Sequence, residues 1–140
     1  AKASKIESLL KRKEENILNY TTQEFLKFSH SRTVGEVQDE YRSAARGKDV
    51  IMYLYIVDAG DKLLGVIDIK ELLMAQDADR LGDIMTGTII GLKPESTLKE
   101  ASAAFARYGF RAIPVTDEND RILGVIHYRD VMKLKHRFLG

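Results

Sequence analysis

Residues 60–69 read GDKLLGVIDI, and residues 119–128 read NDRILGVIHY. The likeness extends well beyond these ten positions. When residues 54–73 are laid over 113–132, both aspartates of each turn and the Leu-Gly-Val-Ile string coincide. Lys62 falls on Arg121, Lys70 on Arg129 and Glu71 on Asp130. Upstream, Thr33-Val-Gly-Glu-Val37 matches Thr97-Leu-Lys-Glu-Ala101, with a longer connection in the first copy around residues 44–50. Two matched segments in the same order mark an internal repeat.

Each copy obeys the same grammar. Thr33-x-x-Glu36 and Thr97-x-x-Glu100 are capping-box patterns, in which hydroxyl and carboxylate satisfy the free amides of a helix start. Val34, Val37 and Tyr41 then recur at helical spacing, as do Leu98, Ala101, Phe105 and Tyr108. Short apolar runs at 54–57 and 113–116 predict strands, followed by polar turns at 58–62 and 117–121. Second strands are predicted at 63–69 and 122–128, and closing helices at 70–75 and 129–135. A further strand precedes each capping box, at 25–28 and 88–92, and residues 76–85 join the copies. The fold class is α/β: two β-α-β-β-α repeats packed sheet to sheet with pseudo-twofold symmetry. A lone copy of roughly 55 residues would leave one sheet face wet. The expected division is an N-terminal helix over 1–16, a first repeat over 17–76 and a second repeat over 77–140.

Bulk properties narrow the function. The 140 residues are 44% hydrophobic and 31% charged, an ordinary globular balance. A net charge of +1, with scattered basic residues, argues against nucleic acid as a partner. The chain has no cysteine, which removes disulfides, thiolate metal sites and a cysteine nucleophile. No Gly-x-Ser-x-Gly string is present, and His30, His127 and His136 lack metal-site spacing, so no enzymatic activity is expected. No apolar run approaches the roughly 20 residues of a membrane span. The chain opens on Ala1 rather than Met, and a piece of a longer protein is the expectation.

The strings Asp83-Ile-Met-Thr86, Pro94-Glu-Ser-Thr-Leu-Lys-Glu-Ala101, Ala112-Ile-Pro-Val115 and Leu123-Gly-Val-Ile126 followed by Arg129-Asp130-Val131 resemble the tandem CBS domain pair, or Bateman module. Thr21-Thr-Gln-Glu-Phe25, Tyr53-Leu-Tyr-Ile-Val-Asp58 and Phe105-Ala-Arg-Tyr-Gly-Phe-Arg-Ala-Ile-Pro-Val115 are similar to the cytosolic CBS region of MgtE-type magnesium transporters. The resemblance implies a cytoplasmic sensor that forms a homodimer through its CBS pairs and gates a membrane transport domain. It also makes residues 6–20 the tail of a preceding helical domain.

Two ligand classes follow from the resemblance. In magnesium-sensing relatives carboxylates of the second copy hold the cation. Their positions fall here on Gly109, Lys99, Lys133 and Asp130, of which only Asp130 is acidic. In nucleotide-binding pairs a hydroxyl residue followed by x-x-Asp meets phosphate and ribose. The second copy reads His127-Tyr-Arg-Asp130, and the first reads Asp68-Ile-Lys-Glu71. Candidate contacts for AMP or ATP are therefore Ile89, Ala112, Pro114, His127, Arg129 and Asp130. Candidate ligands for Mg²⁺ or another divalent cation are Asp68, Glu71 and Asp130. Two carboxylates repel phosphate, which makes the Asp68–Glu71 end a poor nucleotide site and a better cation site. Competing roles stay open: Asp130 also suits a helix start, His127 a half-exposed strand end, and Asp77 and Asp79 a solvated linker. The readings are a ligand-sensing module of a divalent-cation transporter, an adenine-nucleotide sensor attached to another protein, or a ligand-free dimerisation scaffold.

Overall fold

The computed structural model describes residues 17–139, so the helix expected over 1–16 lies outside the described residues. A 3-10 turn, Ile17–Tyr20, leads into strand β1 (Phe25–Ser29), helix α1 (Val34–Ala45), strands β2 (Val50–Val57) and β3 (Leu63–Asp68), and helix α2 (Ile69–Met74). The second half runs through a short helix α3 (Leu81–Ile84), helix α4 (Leu98–Tyr108), strands β4 (Ala112–Thr116) and β5 (Ile122–His127), and helix α5 (Tyr128–Leu139). β1 lies parallel to β2, and β2 and β3 form an antiparallel hairpin. β4 and β5 form the equivalent hairpin of the second repeat.

The threonine caps form as the sequence implies. Thr33 accepts a hydrogen bond from the Glu36 amide at 3.2 Å, and Thr97 accepts one from the Glu100 amide at 3.1 Å. Glu36 does not complete a reciprocal box, because its carboxylate takes the Thr33 hydroxyl and the Arg32 guanidinium instead. The linker is not simply solvated. Asp79 and Asp77 offer their backbone carbonyls to the amides of Val34 and Gly35, two more free donors at the start of α1.

The strand expected over 88–92 shrinks to one residue, Leu92, which bridges Val115 in parallel. Leu92 donates to the Pro114 carbonyl at 2.9 Å, and Thr116 donates to the Leu92 carbonyl at 3.0 Å. The next rung would need an N–H from Pro114, which has none. In the first repeat Tyr55 stands at the equivalent position, opposite Lys27, and the ladder continues.

Apolar residues sort into three layers. One cluster lies within the first repeat, around Val34, Val37, Leu54, Ile56, Ile67 and Leu72. Another lies within the second, around Leu98, Phe105, Ile113, Ile126 and Val131. A third joins the sheets and mixes residues of both repeats: Phe25, Val50, Tyr55, Val57 and Leu63 with Ala112 and Val125.

The repeats also exchange their leading segments. Ile17, at the head of the first repeat, is buried in the core of the second. Leu81, at the head of the second, is buried in the core of the first. Thr22 then bridges Val125 on β5, and Thr86 bridges Val66 on β3. Each crossing passes over the glycine of a Leu-Gly-Val-Ile string. A Cβ on Gly65 would meet Met85 Sδ at 2.5 Å and the Thr86 carbonyl at 2.9 Å. A Cβ on Gly124 would meet Thr21 Oγ1 at 2.7 Å and Thr21 Cβ at 2.9 Å. The repeated glycine thus marks where one repeat lies directly on the other. Gly65→Ala is expected to cost about 1–3 kcal/mol through overpacking, in a single urea transition with no separate unfolding of the second repeat.

Candidate functional site

β2 and β4 face each other across the pseudo-twofold axis, and the segment after the Thr86 crossing runs along one side of the gap. The resulting cleft encloses about 210 Å³. Tyr53, Tyr55 and Val66 line it from the first repeat, and Phe110, Ala112 and Pro114 from the second, with Thr86, Thr88, Ile89 and Ile90 along the side. Asp68, the cross-strand partner of Tyr53, and Glu71 complete the lining, and none of the lining residues is basic.

Local chemistry places the aromatic wall. α4 ends at Gly109, whose φ of +69° is the left-handed conformation that favours glycine, and whose amide bonds the Phe105 carbonyl at 2.9 Å. The chain then turns so that Phe110 meets Tyr53 edge to face, with centroids 6.5 Å apart and an interplanar angle of 84°. Tyr53 Oη accepts from the Arg111 amide at 3.3 Å, which ties β2 to the second repeat. Tyr55 lies deeper, 1% exposed, and its Oη is the one buried side-chain polar atom without a hydrogen-bond partner among the described residues. Burial pushes its phenol well above the usual range.

Asp68 and Glu71 have a structural task beside any ligand. Asp68 Oδ1 accepts from the Glu71 amide at 2.8 Å, and Glu71 Oε1 accepts from the Asp68 amide at 3.0 Å. They form a complete capping box at the head of α2.

The structure divides the residues proposed to touch a nucleotide. Ile89, Ala112 and Pro114 line the cleft, together with Asp68 and Glu71. His127, Arg129 and Asp130 lie elsewhere, at the head of α5. Asp130 borders a separate open depression with Asn19, Tyr20, Thr21 and Lys133. Arg129 Nε lies 3.9 Å from Asp130 Oδ1. The split follows from the twofold: the end of β3 and the end of β5 are equivalent positions, so they face opposite sides of the axis. Tyr53, Tyr55 and Phe110 also line the cleft, although no ligand motif of the sequence includes them. Their signal was the aromatic spacing in the Tyr53-Leu-Tyr55 and Phe105-x-x-Tyr-x-Phe110 strings.

A magnesium site on the family pattern does not fit these side chains. Gly109 is a left-handed helix cap, Lys133 shares a depression with Asp130, and no group of three or more His, Asp or Glu is placed to hold a metal among the described residues. Asp68 and Glu71 are two carboxylates only, each with one oxygen already accepting an amide.

His127 serves as a helix cap. Its Nδ1 accepts from the Arg129 amide at 3.0 Å, a bond that requires an unprotonated nitrogen. Burial and then the Arg129 charge hold its pKa below the usual imidazole value of 6.5, with Arg111 acting in the same sense and Asp130 and Asp49 opposing.

The chain is similar to known proteins over nearly its whole length. Residues 81–137 match the CBS domain family. The magnesium transporter MgtE of Thermus thermophilus is 29% identical over 92% of this chain, which spans 29% of that protein. Among solved structures, the soluble part of a magnesium transporter superposes with a TM-score of 0.86 at 26% identity, over 99% of this chain and 54% of that one. The cytosolic domain of the Mg²⁺ channel MgtE in complex with ATP gives 0.83 at 26% identity, over 96% of this chain and 55% of that one. The second repeat is thus a CBS domain, and the first repeats its architecture.

Two outcomes follow. Tyr55→Phe removes the orphaned hydroxyl and is expected to raise the unfolding free energy of the ligand-free protein by about 1 kcal/mol in urea titrations. Because the folded state resists protonating His127, its contribution is fully present above the unfolded value and is lost as pH falls through the lower folded value. Denaturation midpoints should therefore decline below about pH 6.5, and His127→Asn, which keeps a capping acceptor, should flatten that decline.

Proposed function

We propose that this CBS pair is the cytoplasmic regulatory module of an MgtE-like divalent-cation transporter, and that it senses a small ligand in the cleft between its repeats. The observation that carries the reading is the cleft itself. It lies between two repeats that share leading segments, and it holds an aromatic wall and an unpartnered hydroxyl. Similarity to the MgtE cytosolic region along almost the whole chain supports the transporter as the attached machine. No helix among the described residues is long and apolar enough to cross a membrane, so transport itself is assigned to other parts of the protein. Mg²⁺ is then the transported substrate.

The mechanism is a population shift. A ligand bridging β2 of one repeat and β4 of the other favours one spacing of the two sheets. The exchanged segments carry that spacing to both helical layers, where Leu73, Met74, Tyr108 and Tyr128 are exposed apolar side chains fit for a homodimer contact. A coupling of about 1–3 kcal/mol between cleft and dimer arrangement is enough for regulation. The module itself needs no catalytic step. Adenine nucleotides are the first ligands to try, since ATP is bound in the related cytosolic domain.

Calorimetry on the chelator-treated chain, with Mg²⁺, Mn²⁺, adenosine, AMP and ATP in turn, tests the reading. An adenine compound is expected to bind below millimolar concentration, with Tyr53→Ala weakening it about tenfold (roughly 1.4 kcal/mol). Small-angle scattering should change on saturation. If nothing binds, the ligand-free dimerisation scaffold takes its place. Saturation with no change in dimer shape would instead favour a sensor coupled to its protein by another route.

A further inference from the structure

We infer that the outer face of α4 and α5 docks on the anionic surface of a lipid bilayer. This is a different surface from the cleft, and its role is separate from ligand sensing there.

An overall charge of +1 hides an asymmetry between the two helical layers. In the first repeat, α1 exposes Glu36, Asp39 and Glu40, and α2 adds Glu71. Arg32 is taken up by Glu36 at 3.0 Å and Glu40 at 2.8 Å, which leaves Arg42 and Lys70 as the remaining cations of that layer. The second repeat reverses the balance. Lys99 and Arg107 on α4, Arg111 just after it, and Lys133 and Lys135 on α5 are all exposed, and none of them forms an ion pair among the described residues. Arg129 has only a long contact, 3.9 Å, to Asp130, which is the sole carboxylate of α5. Cations scattered along the sequence are thus gathered by the fold onto one layer. Such a concentration of unpaired positive charge repels itself and attracts an anionic surface.

The face is broad rather than grooved. Lys99, Ala103 and Arg107 recur at every fourth position, and Arg129, Lys133 and His136 recur at the same kind of spacing, so each set shares one side of its helix. Leu98, Ala101 and Phe105 of α4 and Val131 of α5 occupy the opposite sides, in the core, and the two helices pack against each other. Ala103 and Ala106 are exposed between the α4 cations and raise no ridge.

An aromatic edge completes it, where α4 stops and α5 begins. Tyr108, Phe110 and Tyr128 are 43%, 36% and 42% exposed. Tyr108 and Phe110 stack at 5.9 Å, and the Arg107 guanidinium lies 5.3 Å from the Tyr108 ring centre. Tyr128 meets Phe105 at 5.6 Å, so the edge is anchored to the core. Rings with a polar tip beside arginines suit the headgroup level of a bilayer, where an apolar body and a wet end are both accommodated. A transporter module would lie within reach of such a surface, although the charge pattern stands without that reading. A homodimer seated on Leu73 and Met74 leaves this face free, whereas one seated on Tyr108 and Tyr128 covers it.

The test is cosedimentation of the chain with vesicles of equal parts phosphatidylglycerol and phosphatidylcholine, against vesicles of phosphatidylcholine alone. Binding is expected to the anionic vesicles only, and it should weaken as salt is raised. Arg107→Glu with Lys133→Glu should lower the affinity by about tenfold or more. Arg42→Glu with Lys70→Glu makes the same change in total charge on the other layer, and should leave the affinity within about twofold. Circular dichroism checks that both double variants keep the fold. Equal binding to both kinds of vesicle, or binding to neither, would overturn the inference. Equal losses in the two double variants would overturn it too, since the attraction would then follow total charge rather than this face. Sedimentation velocity covers the competing occupant: a dimer that Arg107→Glu with Lys133→Glu dissociates, with no vesicle binding by the unaltered chain, would assign the face to a second copy. None of these outcomes touches ligand binding in the cleft, which calorimetry tests separately.

Discussion

Thr22 pairs with β5 and Thr86 with β3, each crossing over a glycine, and most of the architecture depends on these two contacts. At each crossing a polar backbone segment lies on a sheet face, where burial is tolerable only if its N–H and C=O groups are paired. The pairing is reciprocal at both: Thr22 and Val125 exchange two backbone hydrogen bonds, as do Thr86 and Val66. That geometry requires the backbones to approach more closely than any side chain allows. The same pseudo-symmetry appears at the hairpin turns, where Leu63 donates to the Asp120 carbonyl and Ile122 to that of Asp61. Asp61 and Asp120 both take left-handed conformations to bring those carbonyls into place.

From this follows the position of the cleft. Once the leading segments have crossed, β2 and β4 face each other with little between them but side chains. Where β2 presents Val50 and Val57, the gap closes, with Val125 of β5, into the shared core. Where they are Tyr53, Ala112 and Pro114, next to a segment that Pro114 prevents from zipping up as a strand, it stays open. The missing rung thus has a consequence for the shape of the cleft. Residues 87–91, free of a ladder, can run along the cleft and present Ile89 and Ile90 to it.

Much of the fold was legible because duplication doubles every signal. The Leu-Gly-Val-Ile strings, the threonine caps and the apolar periodicity each occur twice, and each led to the element that formed. The exchange of leading segments was not legible, because nothing in Ile17 or Leu81 says which core will bury it. The glycines recorded the crossing without naming the partner. At the site, Asp68, Glu71, Ile89, Ala112 and Pro114 were found by pattern, but sequence distance could not tell which side of a twofold axis each would face. His127 and Asp130 were therefore grouped with residues across the axis from them. The unpartnered hydroxyl of Tyr55 is hidden for another reason: a buried tyrosine in a strand looks like any core residue until its surroundings are seen.

The exchanged segments have a bearing on descent. The two crossings are of a kind that two identical chains could make with each other, since each half supplies the segment that the other's sheet lacks. A single repeat could have existed as a pair of separate chains with the same crossings. Joining two such copies through residues 76–80 would preserve those contacts and lift the requirement that both clefts be alike. One end was then free to become Asp68 and Glu71, and the other His127 and Asp130. The fused chain carries unlike side chains at two equivalent positions of one symmetric frame.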